Sequence, residues 1–292
     1  MRSFLNSVRK YLSLVTFSHT VFAMPFALIG FSLAVATDEY FFSLRLLLLI
    51  ILCMIFARNA AMGFNRITDY RYDALNPRTR LREIPSGKVS IRSASIFVII
   101  NSILFISTTA FINRLTLFLS PVALLVILGY SLSKRITSLC HFILGLGLSL
   151  APAGAYISVT GSFDILPVIY SFIVLTWVSG FDIIYALQDD EFDRENSLHS
   201  LPSAAGREKA LIISVSVHIV TILLILAAGF TGKGGLLYWT GAAIFTILLI
   251  YQHLIVSHDD LRRVNLAFGT TNGIASILFA VFVITDLFFR YR

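Results

Sequence analysis

Two acidic clusters have the residue types and spacing to hold a cation. One runs from Asn65 through Asp69 to Asp73; the other from Asp182 through Asp189 to Asp193. Positions i, i+4 and i+8 of a helix fall at about 0°, 40° and 80°, so Asn65, Asp69 and Asp73 are expected on one face. Asp182, Asp189 and Asp193, at i, i+7 and i+11, fall within about 20° by the same arithmetic. Both clusters end long apolar segments, where a carboxylate is costly and therefore points to function. Oxygen ligands suit a hard cation such as Mg²⁺, which takes one or two carboxylates together with substrate phosphates.

Cations accompany the acids. The stretch after Asp73 carries Arg78, Arg80 and Arg82, and Tyr130 and Lys134 form an i, i+4 pair at a later helix end. Carboxylates beside arginines and a lysine are the donor set for a metal-bound diphosphate: the acids hold the metal and the bases neutralise phosphate oxygens. Positive-inside topology could equally account for any one of the arginines. Arg58 stands alone inside an apolar run. An arginine there needs an anion, which a benzoate-type carboxylate would supply, or an intramembrane acid such as Asp182.

The elements that must position these groups are membrane helices. The chain has 292 residues, 57% hydrophobic and 13% charged, with a mean hydropathy of +0.84. That composition is far from that of a soluble domain. No hydrophilic stretch is long enough for a second domain, so residues 1–292 read as a single transmembrane unit in a lipid bilayer. Spans are expected at 12–36, 43–65, 90–112, 115–132, 138–159, 164–187, 208–229, 236–256 and 266–288, each of about 20 residues. The first reads as a retained span and not a cleaved leader. With the N-terminus in the cytoplasm, 17 Lys and Arg residues fall on the cytoplasmic side and 4 on the other. This asymmetry orients the bundle and puts both acidic clusters on the cytoplasmic face. The clusters follow the second and sixth spans, which suggests a weak two-fold internal repeat of four-helix units around a central cavity, with a ninth helix added; coincidence is the alternative.

Cys53 and Cys140 have no metal-type spacing and read as buried free thiols. His253, His258, Asp259 and Asp260 match no zinc template and read as interfacial residues.

Taken together, these segments resemble the UbiA-type intramembrane aromatic prenyltransferases over nearly the whole chain. The resemblance is carried by Phe17 to Ala27, Arg58 to Asn65, Asp69 and Asp73, and Arg82-Glu-Ile-Pro-Ser-Gly87. It continues through Tyr130-Ser-Leu-Ser-Lys134-Arg135, Asp182 to Asp193, Arg263 to Phe268, and Asn272-Gly273. It implies that Asn65, Asp69 and Asp73 form a first Mg²⁺ motif and Asp182, Asp189 and Asp193 a second. It places Arg78, Arg82, Tyr130, Lys134 and Tyr185 on the diphosphate and Arg58 on the aromatic acceptor, with Asp69, Asp189, Asp193 and Arg58 serving catalysis. His19 falls in the matching first-span segment, either lining the acceptor pocket or packing.

The implied reaction is Mg²⁺-assisted ionisation of an allylic polyprenyl diphosphate. The resulting cation then alkylates the ring carbon beside the hydroxyl of a small aromatic acid, 4-hydroxybenzoate or a hydroxynaphthoate, in respiratory quinone synthesis. A dry chamber would protect that cation, and some of the 25 Phe could stabilise it through their ring faces. Arg66, directly after Asn65, stands where many relatives have an aspartate, which leaves the number of metals open. The expected setting is a bacterial inner membrane with the active site facing the cytoplasm, and no nucleic-acid partner. The rival reading is a cation- or proton-coupled transporter, which should keep its acids near the midplane instead of gathering them at one face with arginines.

Overall fold

The computed structural model describes residues 22–36 and 40–290, and among these the chain is helical with no strand. The helices are α1 (Met24–Val35), α2 (Leu44–Thr68), α3 (Tyr70–Leu75), α4 (Ile91–Ala110), α5 (Arg114–Ser133) and α6 (Cys140–Thr160). They continue with α7 (Ile165–Ala186), α8 (Asp190–Glu195), α9 (Leu201–Ala205), α10 (Arg207–Thr231), α11 (Leu236–Ile255) and α12 (Asn272–Arg290). A 3₁₀ turn, Leu187–Asp189, joins α7 to α8, and a π-helical turn, Leu266–Thr271, leads into α12. Eight helical segments are long and apolar enough to cross a membrane: α2, α4, α5, α6, α7, α10, α11 and Leu266–Arg290. They follow the expected spans within a few residues. Helix α1 is the described part of the first span; the remainder of 12–36, with His19, lies outside the described residues.

Local sequence explains where the helices start. Ser43, Ser90, Asn113 and Asp164 each precede an apolar run, and each side chain accepts a backbone N–H of the first turn, at 3.3, 3.1, 2.8 and 3.0 Å. Such caps satisfy donors that hydrocarbon cannot. Gly161, at φ 69°, ends α6 in the left-handed region that glycine enters without strain.

Helix α7 is the hub, packed between α6 and α10, while α2 packs on α4 and α5, and α1 lies against α6 and α12. Around α7 gathers an aromatic core of Phe22, Phe26, Trp177, Phe181, Phe245 and Phe279, whereas Leu, Ile and Phe side chains elsewhere face outward. Lipid is as apolar as leucine, so burial of carbon alone cannot hold such helices together; close approach and buried hydrogen bonds do. Trp177 donates to Asn272 (2.8 Å) and Asn272 to Gln252 (3.0 Å). His218 and His253 share a 2.7 Å hydrogen bond. His253, read as interfacial, lies in the last turn of α11, half-buried and bonded to a buried partner on α10.

Close approach is visible at Gly145 of α6. A Cβ there would lie 2.4 Å from the Leu175 carbonyl oxygen and 2.5 Å from Ser179 Oγ on α7. Neither neighbour can yield without moving backbone or breaking the Ser179–Leu175 hydrogen bond (2.7 Å). We therefore expect Gly145→Val to lower stability by about 1–3 kcal/mol, the usual cost of overpacking, as read by reversible denaturation of the purified protein in detergent. Wild-type stability in this variant would refute the tight α6–α7 contact.

Candidate active site

Both acidic clusters sit where a membrane helix breaks. Asp69 ends α2 with φ −89° and ψ 2°, and α3 starts at the next residue. Asp189 ends the 3₁₀ turn after α7 with φ −113° and ψ 5°, and α8 starts at the next residue. Both lie in the sparsely populated bridge region of backbone space. The expectation that each cluster rides one continuous helix face is thus corrected. The two interrupting residues have similar backbone angles. The break also leaves the Thr68 carbonyl outside the helical ladder, where Arg135 Nη2 donates to it.

The clusters face one another across a cavity of about 240 Å³. It is lined by Asn65, Asp69, Asp73, Asp182, Asp189 and Asp193, and also by Arg78, Arg82, Tyr130, Lys134 and Tyr185. Arg58 is the exception among the expected site residues. It lies seven residues before Asn65, about 10 Å along the α2 axis, outside the residues that line the cavity. Asp182, the acid weighed as its partner, is hydrogen bonded by His141.

Four of the acids each carry a basic partner. Arg78 grips Asp189 through Nε (3.0 Å) and Nη2, and donates from Nη1 to the Tyr185 hydroxyl (2.8 Å). Arg82 donates to Asp73 Oδ1 at 2.7 Å, Lys134 Nζ lies 2.8 Å from Asp193, and Arg135 lies 3.2 Å from Asp69. Arg78 crosses from the first half to the second. Lys134 and Arg135, adjacent in sequence, serve one acid of each half.

The site's charges shape one another. Burial, and next the charge of Asp73, hold the Asp69 carboxyl above its usual range despite Arg135. Burial alone would lower the Lys134 ammonium, but Asp193 and then Asp189 outweigh it and hold it above its ordinary value.

Several residues of the site had no role assigned from sequence. Asn76 donates to Asp189 (3.1 Å) and accepts the Arg78 N–H (2.9 Å), an Asx turn that the Asn-Pro-Arg sequence foreshadows. Phe268, on the π turn, stacks on the Tyr185 ring with centroids 4.1 Å apart. Arg135 lies over the Tyr72 ring, 5.4 Å from its centroid. His141 gave no periodic or motif signal, because its partners come from α7 and α9.

Among the described residues, no group of three or more His, Cys, Asp or Glu side chains forms a ready-built metal cage. The donors nevertheless suit Mg²⁺ in a site completed by substrate. They are all hard oxygens, and Asp73 Oδ2 is buried without a hydrogen-bond partner.

Residues 23–283 match the model of the UbiA prenyltransferase family. The chain belongs to that family. It is 29% identical to a 4-hydroxybenzoate octaprenyltransferase of Vibrio parahaemolyticus, over 80% of this chain and 81% of that one. It is 28% identical to one of Nitrosospira multiformis, over 84% of each. The apo structure of a UbiA homolog from Aeropyrum pernix K1 superposes with a TM-score of 0.82 at 31% identity, covering 92% of this chain and 98% of the other. A UbiA homolog from Archaeoglobus fulgidus, solved with GPP and Mg²⁺, shares the fold with a TM-score of 0.71 at 23% identity, over 95% and 99% of the two chains. The protein is therefore a multi-pass membrane prenyltransferase, and nothing in these comparisons supports a transporter.

The ion pairs differ in how far each partner can reach water. Asp193 is fully buried and also accepts from Ser200 (2.9 Å), while Lys134 is about one-third exposed. Lys134→Met strands a buried carboxylate, whereas Asp193→Asn frees a lysine that can hydrate. The first is expected to cost about 2–4 kcal/mol and the second under about 2 kcal/mol. Equal or reversed losses on denaturation in detergent would contradict this asymmetry.

Proposed function

We propose that this protein transfers a polyprenyl group from an allylic polyprenyl diphosphate to a small aromatic acid, 4-hydroxybenzoate or a hydroxynaphthoate, in respiratory quinone biosynthesis. The observation that carries the proposal is the set of four acid–base pairs around one cavity at the end of an apolar bundle. A metal diphosphate brings both signs of charge, so it can replace both halves of such pairs at once. Family membership and the names of the related octaprenyltransferases support the same chemistry.

In this reading Asn65, Asp69 and Asp73 of the first motif and Asp182, Asp189 and Asp193 of the second would hold Mg²⁺. With Mg²⁺ bound, the charge growing on the leaving diphosphate is neutralised by the metal as well as by the protein. Arg78, Arg82 and Lys134 turn from their acids to the phosphate oxygens, and Tyr130 and Tyr185 supply hydroxyls. Tyr185 is held for this by Arg78 and by the Phe268 stack. The allylic C–O bond breaks with its electron pair on the diphosphate. The ring carbon beside the acceptor's hydroxyl attacks the allylic carbon, and the ring then loses its proton there. The aromatic core beneath the cavity keeps water from the cation. Asp69, Asp189, Asp193 and Arg58 are the residues on which catalysis most depends. The proposed setting is a bacterial inner membrane with the cavity open to the cytoplasm, as the basic loops indicate.

A membrane assay offering both acceptors with several allylic diphosphates tests the substrate class. Turnover is expected to require Mg²⁺, and Asp69→Asn or Asp189→Asn to reduce it on the order of a hundredfold or more while the protein stays folded. Full activity of either variant, or of wild type in EDTA, would rule out the metal role.

Arg58 tests acceptor recognition separately. Loss of a charge-assisted, partly buried contact costs about 2–5 kcal/mol, and about 1.4 kcal/mol is tenfold. Arg58→Ala should raise the acceptor KM at least tenfold and change the diphosphate KM little, provided KM tracks binding. A rise in the diphosphate KM alone would move Arg58 to the phosphate-binding group.

A further inference from the structure

His141 is the second residue of α6, and its side chain is 2% exposed while also lining the cavity. Its two ring nitrogens have different tasks. Nε2 accepts the backbone N–H of Leu201 at 3.2 Å, so that nitrogen must carry a lone pair. The remaining ring proton is therefore on Nδ1, which donates to Asp182 Oδ2 at 2.7 Å. Ser179 Oγ, which donates to Leu175, also lies 3.3 Å from the backbone carbonyl of His141 where α6 meets α7. One imidazole thus joins three elements: α6, the site carboxylate on α7, and the start of α9.

We propose that His141 is a positioning residue for Asp182: its Nδ1–H fixes the rotamer of that carboxylate so that an oxygen is presented to a divalent cation in the cavity. Among the described residues, Asp182 Oδ1 accepts no hydrogen bond, which leaves it available to a ligand. Outer groups that orient a ligating carboxylate act in this way, and their loss weakens metal binding by about ten- to a hundredfold. The inference rests on the reading of Asp182 as part of the cation site.

The Leu201 contact offers a competing, purely architectural role, and two substitutions separate them. An asparagine amide can place an N–H near the position of Nδ1 and reach Asp182. A glutamine amide extends toward the position of Nε2, where it can engage Leu201 and misses Asp182. The readout is Mn²⁺ binding, followed by electron paramagnetic resonance, to the purified full-length protein in detergent with geranyl S-thiolodiphosphate, an inert allylic analogue. Thermal unfolding is recorded in parallel.

His141→Asn is expected to keep Mn²⁺ affinity within about threefold of wild type, and His141→Gln and His141→Ala to lose about tenfold or more. In an Asp182→Asn background, replacing His141 should cause no further loss of affinity, since coupled residues are not additive. Glutamine performing as well as asparagine, or an undiminished loss in the Asp182→Asn background, would overturn the proposal. So would failure of every His141 variant to fold, which would assign the residue to architecture alone. Absence of diphosphate-dependent Mn²⁺ binding by the wild type would instead remove the underlying reading of the site.

Discussion

Carboxylates at the end of a low-dielectric bundle must be compensated, and the fold at this end of the molecule follows from how that is done. The partners are not drawn from the same helix turn. Arg78 reaches Asp189 over 111 residues of chain, and Arg135 reaches Asp69 over 66. Ordinary surface ion pairs contribute little. These pairs surround a partly enclosed cavity, where leaving one member alone costs far more than the pair itself contributes. The two halves are therefore joined through their charges at one end and through aromatic packing below.

That lower part is held by close approach and buried hydrogen bonds. A glycine lets α6 lie against the α7 backbone, and Trp177, Asn272 and Gln252 pass hydrogen bonds across three helices. The π turn at Leu266–Thr271 links this core to the site, because it sets Phe268 on Tyr185. π-helical turns recur at functional sites. Here the effect is to hold a tyrosine that also accepts a hydrogen bond from Arg78.

Much of this was legible in the residues. Long apolar runs gave the spans, and hydropathy carries through because lipid demands an unbroken helix. The acidic clusters announced the site, since aspartates beside hydrocarbon are rare. What periodicity could not convey was the break at Asp69, a single residue, and at 187–189, a three-residue 3₁₀ turn, each of which interrupts the helix among the acids. Nor could it supply His141, whose partners Asp182 and Leu201 lie 41 and 60 residues away. Arg58 was legible as an intramembrane cation, but its depth relative to the cavity needed three dimensions.

The adjacency of Lys134 and Arg135 has a consequence for how this sequence can change. One of the two neighbours serves the second half through Asp193, the other the first half through Asp69. A one-residue insertion or deletion in this link would turn each side chain toward a new direction and uncouple both halves together. The segment should thus tolerate substitution in its uncharged positions far better than any change in length. Its count of residues works as a gauge, setting the register of one half of the molecule against the other.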